Sequence, residues 1–400
     1  MISVETARSQ IVAAAAPLPA EQVALSQARG RVLAGDLAAR VNHPPLAVSS
    51  MDGWAIRAAD CQAAPATLAI IGESAAGKPF DGNVGPGQAV RIFTGAPMPA
   101  GADAVVRQED AERRGGEVVV GTAVPPGKYV RTPGLDFAVG DVLLRSGTVL
   151  GPRQIGLAAA MNLVWLPVRR RPRVAILSTG DEIRMPGEPL GEAQIPGSNG
   201  PALVALIEAH GGEAVDLGIA QDSRQSISAL LAGAAGVDLL VTSGGASVGD
   251  YDLVQDALAE SGFILDFWKI AMRPGKPLMF GRLRDIPVLG LPGNPVSALV
   301  AALLFLVPML RGFQGLPTDP PLATARLGCA LPANGEREAF LRGSLAFDAD
   351  GMGVATPFDK QDSAVLSGMS AADVLIIRPV DAPAAEAGDK VRILPLESWA

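Results

Sequence analysis

The strongest constraint on this chain is an alternation between residues 173 and 312, where short apolar runs end in polar loops and are followed by helical patterns. "RVAILSTGDE" reads as a buried strand ending in a polar loop. "SNGPALVALIEAHGG" reads as a helix, with Ser198 at the N-cap position and a glycine stop. "EAVDLGIA" is strand-like, "SRQSISALLAGAAG" helical, and "DLLVTSGGAS" a strand closing on glycines. This βαβαβ order predicts a parallel sheet with helices on both faces. Right-handed crossovers then bring the strand ends to one edge, where ligands bind in such sheets.

The rest of the chain reads differently. At 400 residues it is too long for one ordinary core. "VETARSQIVAAAA" and "EQVALSQARGRVLAGDLAA" carry apolar residues at helical spacing, so the first forty residues are expected to be helical. A Pro/Ser-rich turn, "NHPPLAVSSMDGWAI", opens a region of short apolar runs broken by Gly and Pro, which predicts a small β-rich domain. The last eighty residues return to short strands and predict a small β-barrel or sandwich. The expected fold class is α/β and multi-domain. Residues 1–42 with 134–172 form a helical, mixed linker domain, 43–133 an inserted β-rich domain, 173–316 the parallel-sheet α/β domain and 317–400 the C-terminal barrel.

Composition excludes several function classes. The chain is 48% hydrophobic and 18% charged, with a net charge of −8, which fits a globular protein and argues against a nucleic-acid binder. Cys61 and Cys329 have no metal-ligand spacing, and a reducing, cytoplasmic compartment is expected. With only His43 and His210, a histidine-rich metal site is excluded. His210 sits at a helix end, where a cation favours the dipole. The apolar stretch Ala298 to Leu310 is shorter than the roughly 20 residues of a membrane span and contains Pro308, so it reads as a buried helix.

The predicted strand ends carry the candidate chemistry. Glu182 follows the first strand, and Asp222 the second. Ser243, Gly244, Gly245, Ser247, Asp250 and Asp252 follow the third. Glycines let backbone N–H groups approach phosphate oxygens, and a hard cation such as Mg²⁺ would reconcile the carboxylates with a phosphate. Two of only six lysines, Lys269 and Lys276, flank Arg273 in "FWKIAMRPGKPLMF". An ammonium there suits a phosphate or a tetrahedral oxyanion, although Pro274-Gly275 also signals a plain hairpin turn. In "LGLPGNPVSALVAAL", Asn294 or Ser297 caps a helix or donates to a ligand.

Taken together, "SSMDGWA", "TGAPMPAGADAVV", "ILSTGDEI", "SGGASVGDYD", "RPGKP" and "GLPGNPVS" resemble the molybdopterin molybdenumtransferase family, the MoeA proteins and the gephyrin E domain, in order and spacing across nearly the whole chain. The resemblance implies a four-domain homodimer that takes adenylylated molybdopterin and molybdate and releases molybdenum cofactor and AMP with Mg²⁺. Its site lies between the α/β domain of one subunit and the β domain of the other. It implies Asp222, Asp252 and Glu182 as the acidic, metal-binding positions, and Lys269 and Lys276 as the family's lysines. Asp52, Thr94 and Asp136 match the smaller domain's contribution, and Ser363 a serine of the C-terminal domain. The motifs also place Pro292, Asn294, Pro295 and Ser297 at the ligand.

Leu135, Gly197 and Arg273 depart from the family's usual Glu, Asp and Lys. The alternative reading is a scaffold that holds molybdopterin without turnover. A third is the preceding adenylyltransferase, which shares only the α/β domain. Contacts with that adenylyltransferase and with molybdoenzyme acceptors are the implied protein partners; a membrane partner is not expected.

Overall fold

The computed structural model describes residues 1–244 and 253–397. Gly245, Ser247, Asp250 and Asp252 therefore lie outside the described residues. The chain divides into two compact units, residues 22–168 and residues 1–21 with 169–400.

Helix at the N-terminus is confined to α1, Val4–Ala13, capped by the Ser3 side chain, which accepts from the Thr6 N–H. The expected second helix does not form. Ala20–Ala24 is a strand, Leu25–Gln27 a single 3-10 turn and Leu37–Ala38 a short strand. Gly30 takes φ of 75°, a left-handed conformation no helix interior contains. Distant partners then decide the local structure: Val32 bridges Val149, and Leu33 bridges Val168. Leu33 and Val168 join Leu37, Leu144, Leu150 and Met161 in one core with Ala158 of α2, Pro152–Ala160.

The same unit holds a six-stranded sheet of β1 (Gly53–Ile56), β2 (Ala66–Ser74), β3 (Gln88–Ile92), β4 (Ala104–Arg107), β5 (Ala111–Arg114) and β6 (Glu117–Val120). The order is β4-β1-β3-β2-β6-β5. Both faces are covered: Trp54, Ile56, Leu68 and Val118 pack on one side, and Ala55, Val90, Ile92 and Val105 on the other.

The other unit contains the α/β sheet. Its strands are β7 (Arg173–Thr179), β8 (Glu213–Ala220), β9 (Leu239–Ser243), β10 (Phe263–Trp268), β11 (Met279–Leu283) and β12 (Ile286–Leu291), in the order β8-β7-β9-β12-β11-β10. The first four are parallel, as the alternation predicts. β11 and β10 are antiparallel additions, so the sheet is mixed. A turn-joined pair of strands needs no crossover helix, and "RPGKP" sits in the β10–β11 connection instead.

Helices α3 (Asn199–Ala209), α4 (Arg224–Leu231), α5 (Leu253–Glu260) and α6 (Pro295–Ala301) follow strands β7, β8, β9 and β12. α6 runs on through a π-helical stretch, Ala302–Leu306, into α7, Val307–Phe313. Pro308 has no N–H to return to the preceding turn, and the ladder widens just before it. This apolar rod, Pro295–Phe313, is longer than the sequence stretch suggested and long and apolar enough to cross a membrane, but 89% of its 18-residue apolar window is buried within the protein, because it forms the centre of a core with Val4, Ile11, Leu203, Leu289 and Ile377.

The C-terminal strands are β13 (Ala323–Leu327), β14 (Glu338–Phe347), β15 (Gly353–Pro357), β16 (Val374–Arg378) and β17 (Lys390–Pro395). They run in the order β14-β15-β13-β17-β16, and a β14–β16 pairing closes the barrel. Met272–Arg273 adds to β14 as a short parallel strand, which fixes the lysine-bearing connection beside the barrel.

Candidate active site

Strand register places the candidate residues on one edge. Leu177 of β7 faces Thr242 of β9, Thr242 faces Gly290 of β12, Gly290 faces Met279 of β11, and Met279 faces Trp268 of β10. Every loop of interest leaves the sheet within a few residues of this rung. Gly180, Asp181 and Glu182 leave β7, Gly244 leaves β9, Pro292 to Asn294 leave β12, and Lys269 leaves β10. Asp222 leaves β8 alongside, since Thr179 pairs with Ala220.

Hydrogen bonds then tie the loops together. Asn199, at the first turn of α3, donates through Nδ2 to Ser243 Oγ (2.8 Å) and to the Gly293 carbonyl (2.8 Å). The Asp222 N–H donates to Asp181 Oδ1 (3.0 Å), and the Gly244 N–H to the Leu291 carbonyl (3.3 Å). Ser198 occupies the N-cap position of α3 without a capping hydrogen bond, so its expected role is corrected. Asn294 likewise stands at the N-cap of α6 without capping it. Its Nδ2 donates instead to Ser363 Oγ (2.9 Å), while the Ser363 carbonyl accepts from the Val296 N–H (3.1 Å). Ser297 is buried within α6 and Pro292 at the strand end, whereas Pro295 is half-buried.

The segment 360–365 that presents Ser363 is held by a buried cation. Arg342, 1% exposed, donates to the carbonyls of Lys360 (3.1 Å) and Val365 (3.1 Å). Gln361 Oε1 accepts from the Arg342 N–H (3.0 Å). Burial lowers the guanidinium pKa, and Asp362 opposes that shift.

Lys269 follows β10 directly with φ of 77°, and its Nζ lies 4.1 Å from the centre of the Trp268 ring. Lys276 is half-buried and Arg273 exposed. The Ile270 N–H donates to the Lys276 carbonyl (3.0 Å), which folds the connection into a compact loop.

The unit of residues 22–168 assembles its own pair. Asp52 Oδ1 accepts from both the Thr94 N–H (2.7 Å) and the Thr94 hydroxyl (2.8 Å). These two bonds, the backbone one foremost, hold the Asp52 carboxyl below its ordinary range. Asp136 is exposed, with its N–H donating to the His43 carbonyl (2.9 Å).

Three family models match in chain order. The "MoeA N-terminal region (domain I and II)" matches residues 2–162, the "Probable molybdopterin binding domain" residues 175–312, and the "MoeA C-terminal region (domain IV)" residues 324–396. This chain belongs to the MoeA family. It is 37% identical over 386 residues to the molybdopterin molybdenumtransferase 2 of Mycobacterium tuberculosis, covering 94% of each chain. It is 34% identical over 400 residues to the molybdopterin molybdenumtransferase of Haemophilus influenzae, covering 99% of this chain and 98% of that one. The crystal structure of the molybdopterin biosynthesis MoeA protein from Pyrococcus horikosii superposes with a TM-score of 0.85, at 33% identity and 99% coverage of both chains.

Within this MoeA chain, Asp181, Glu182 and Asp222 are solvent-exposed carboxylates at the β7 and β8 ends. Among the described residues, no three His, Cys, Asp or Glu side chains converge as a cation cage. Gly197, in place of the family's usual Asp, is closely packed: a Cβ there would lie 2.8 Å from Ile183 Cγ2. Leu135 is 62% exposed. Asn199 and Arg342 were not singled out by sequence reasoning. An asparagine opening a helix reads as a cap, and an arginine in a strand reads as solvated, so neither carries a local signal of its role.

Proposed function

We propose that this protein is a transferase of molybdenum cofactor biosynthesis, a molybdopterin molybdenumtransferase. Its substrates are adenylylated molybdopterin and molybdate, and its products molybdenum cofactor and AMP. The supporting observation is the edge where Asn199 ties Ser243 to Gly293, Ser363 meets Asn294, and the Lys269–Lys276 loop stands alongside, in a chain that matches MoeA models over most of its length.

In this reading the glycine loop at Gly244 and the N-terminus of α3 accept the phosphate-bearing part of the ligand, since unpaired N–H groups at such ends favour anions. Lys269, Arg273 and Lys276 hold the oxyanion as it approaches the dithiolene. Glu182 and Asp222 offer the hard oxygen donors that Mg²⁺ takes, and Mg²⁺ is commonly held by one or two carboxylates together with substrate phosphates rather than by a protein cage. A Mg²⁺ held there would supply charge neutralisation at the phosphoanhydride, which favours AMP as a leaving group. Asp222 keeps its position through its N–H bond to Asp181. No protein nucleophile is needed, because positioning and charge stabilisation carry the catalysis. A homodimer, with Asp52, Thr94 and Asp136 taking part in catalysis, belongs to the same proposal.

AMP release from adenylylated molybdopterin, measured with molybdate and Mg²⁺ each present or omitted, tests the reading. Tight binding of the ligand without release under any condition would replace the transferase with a molybdopterin-holding scaffold.

A further inference from the structure

We propose that Trp268 is a positioning residue that holds the Lys269 ammonium by its ring face, so that the ammonium stays directed toward a tetrahedral oxyanion. The inference rests on the proposed transferase reading, which assigns Lys269 to the oxyanion.

Local geometry comes first. Consecutive residues of a strand point to opposite faces, so Trp268 and Lys269 would diverge if β10 simply continued. It does not continue. Lys269 takes φ of 77°, and its N–H donates to the Leu278 carbonyl (3.2 Å). The left-handed turn brings the lysine side chain back over its neighbour's ring, with Nζ 4.1 Å from the ring centre. A left-handed conformation is unfavourable for a non-glycine residue, and the hydrogen bonds of the loop hold it in place.

The ring itself is fixed. Trp268 pairs with Met279 across the sheet and packs against the cluster that includes Ala257, Leu258 and Met279. Its Nε1 is buried and has no hydrogen-bond partner among the described residues. The indole is therefore not explained by a hydrogen bond it makes; what it offers is a broad ring face, the best of the aromatic faces for a cation.

The chemical consequence concerns competition. Among the described residues, no carboxylate forms an ion pair with Lys269. A carboxylate would orient the ammonium but would also occupy its N–H donors and cancel its charge. An aromatic face orients the ammonium while leaving its donors to an incoming oxyanion. Of the three cations in this segment, Lys269 is given its direction by the ring face of Trp268.

The test combines a spectroscopic and a kinetic arm on the full-length protein. With ¹³Cε-labelled lysine there are six signals, one per lysine. The ring current of Trp268 is expected to shift the Lys269 methylene protons upfield in the wild type. That shift should shrink in Trp268→Phe and vanish in Trp268→Leu. Lys128 also stands over a ring, 4.6 Å from the centre of Tyr129, so the Lys269 signal is assigned by its loss in Lys269→Met. An unshifted Lys269 signal in the wild type, or a Lys269 shift that survives Trp268→Leu, overturns the contact.

In the kinetic arm, Trp268→Leu is expected to raise KM for molybdate about three- to tenfold, the range an exposed to partly desolvated cation–π contact supports. Trp268→Phe should fall between, and Trp268→Leu should add nothing in a Lys269→Met background. An equal loss in both backgrounds would mean that Trp268 acts only through folding, and overturns the proposal. If the wild type releases no AMP, the transferase reading fails separately. Molybdate titration by calorimetry then decides this claim: the same order of affinities supports it, and no dependence on Trp268 or no molybdate binding at all rejects it.

Discussion

Substituting Gly244 by alanine isolates the role of close packing at the sheet edge. Gly244 has φ of +94°, and a Cβ there would lie 2.6 Å from the Thr179 carbonyl oxygen and 2.8 Å from Thr179 Oγ1. Two costs add. A left-handed conformation costs an L-residue about 1–2 kcal/mol, and forcing an extra methyl against packed backbone costs roughly 1–3 kcal/mol. The sum is about 2–5 kcal/mol, concentrated where β7 and β9 end. Gly293 supplies the control. Among the described residues its Cβ would meet only Gly244 Cα, at 3.6 Å, an ordinary contact without positive φ, so Gly293→Ala should change stability by less than about 1 kcal/mol. Hydrogen exchange of the β9 amides, Leu239 to Ser243, reads this locally. Gly244→Ala should speed their exchange by roughly thirtyfold or more, with AMP release falling in step, and Gly293→Ala should leave exchange nearly unchanged. Equal exchange in Gly244→Ala and the wild type would refute the packing argument.

Three further outcomes follow from named groups. Asp222→Ala should abolish Mg²⁺-dependent turnover while leaving circular dichroism and thermal unfolding unchanged, because the side chain is exposed; full turnover in a folded variant removes Asp222 from the mechanism. Ser363→Ala removes the Asn294 contact but keeps the backbone bond to Val296, so stability should fall by only about 1 kcal/mol while kcat/KM drops severalfold, as measured by parallel denaturation and initial rates. His210 is lowered to about 4, first by burial and then by Arg311. Its folded pKa lies below the unfolded value near 6.5, so its contribution to stability is present above pH about 6.5 and is lost as pH falls toward about 4. Denaturation midpoints of His210→Asn should be flatter than the wild type across that window, and an identical slope would exclude the residue.

The expected cation at the end of α3 is thus a neutral imidazole. The helix-end position was readable from Gly211, but the burial that decides its charge was not. Legibility followed the range of the forces involved. The alternation from 173 to 312 was readable because each strand and helix carries its own periodicity, and the shared edge follows from crossover handedness. The C-terminal strands were readable for the same reason. Residues 20–39 failed the same reading. Their helical spacing is overruled by Val32 and Leu33, whose partners Val149 and Val168 lie more than a hundred residues away. In the site, motifs located Glu182, Asp222, Lys269 and Asn294 on loops, and the structure joined Asp52 to Thr94. The ties made by Asn199, Arg342 and Trp268 depend on which loops meet, and no local pattern carries that information.

The most direct measurement is AMP release from adenylylated molybdopterin by the purified full-length protein, with molybdate and Mg²⁺ supplied together, singly or not at all. The account predicts rapid release only when both are present, coupled to formation of molybdenum cofactor. Ligand that binds tightly and is never turned over would contradict it.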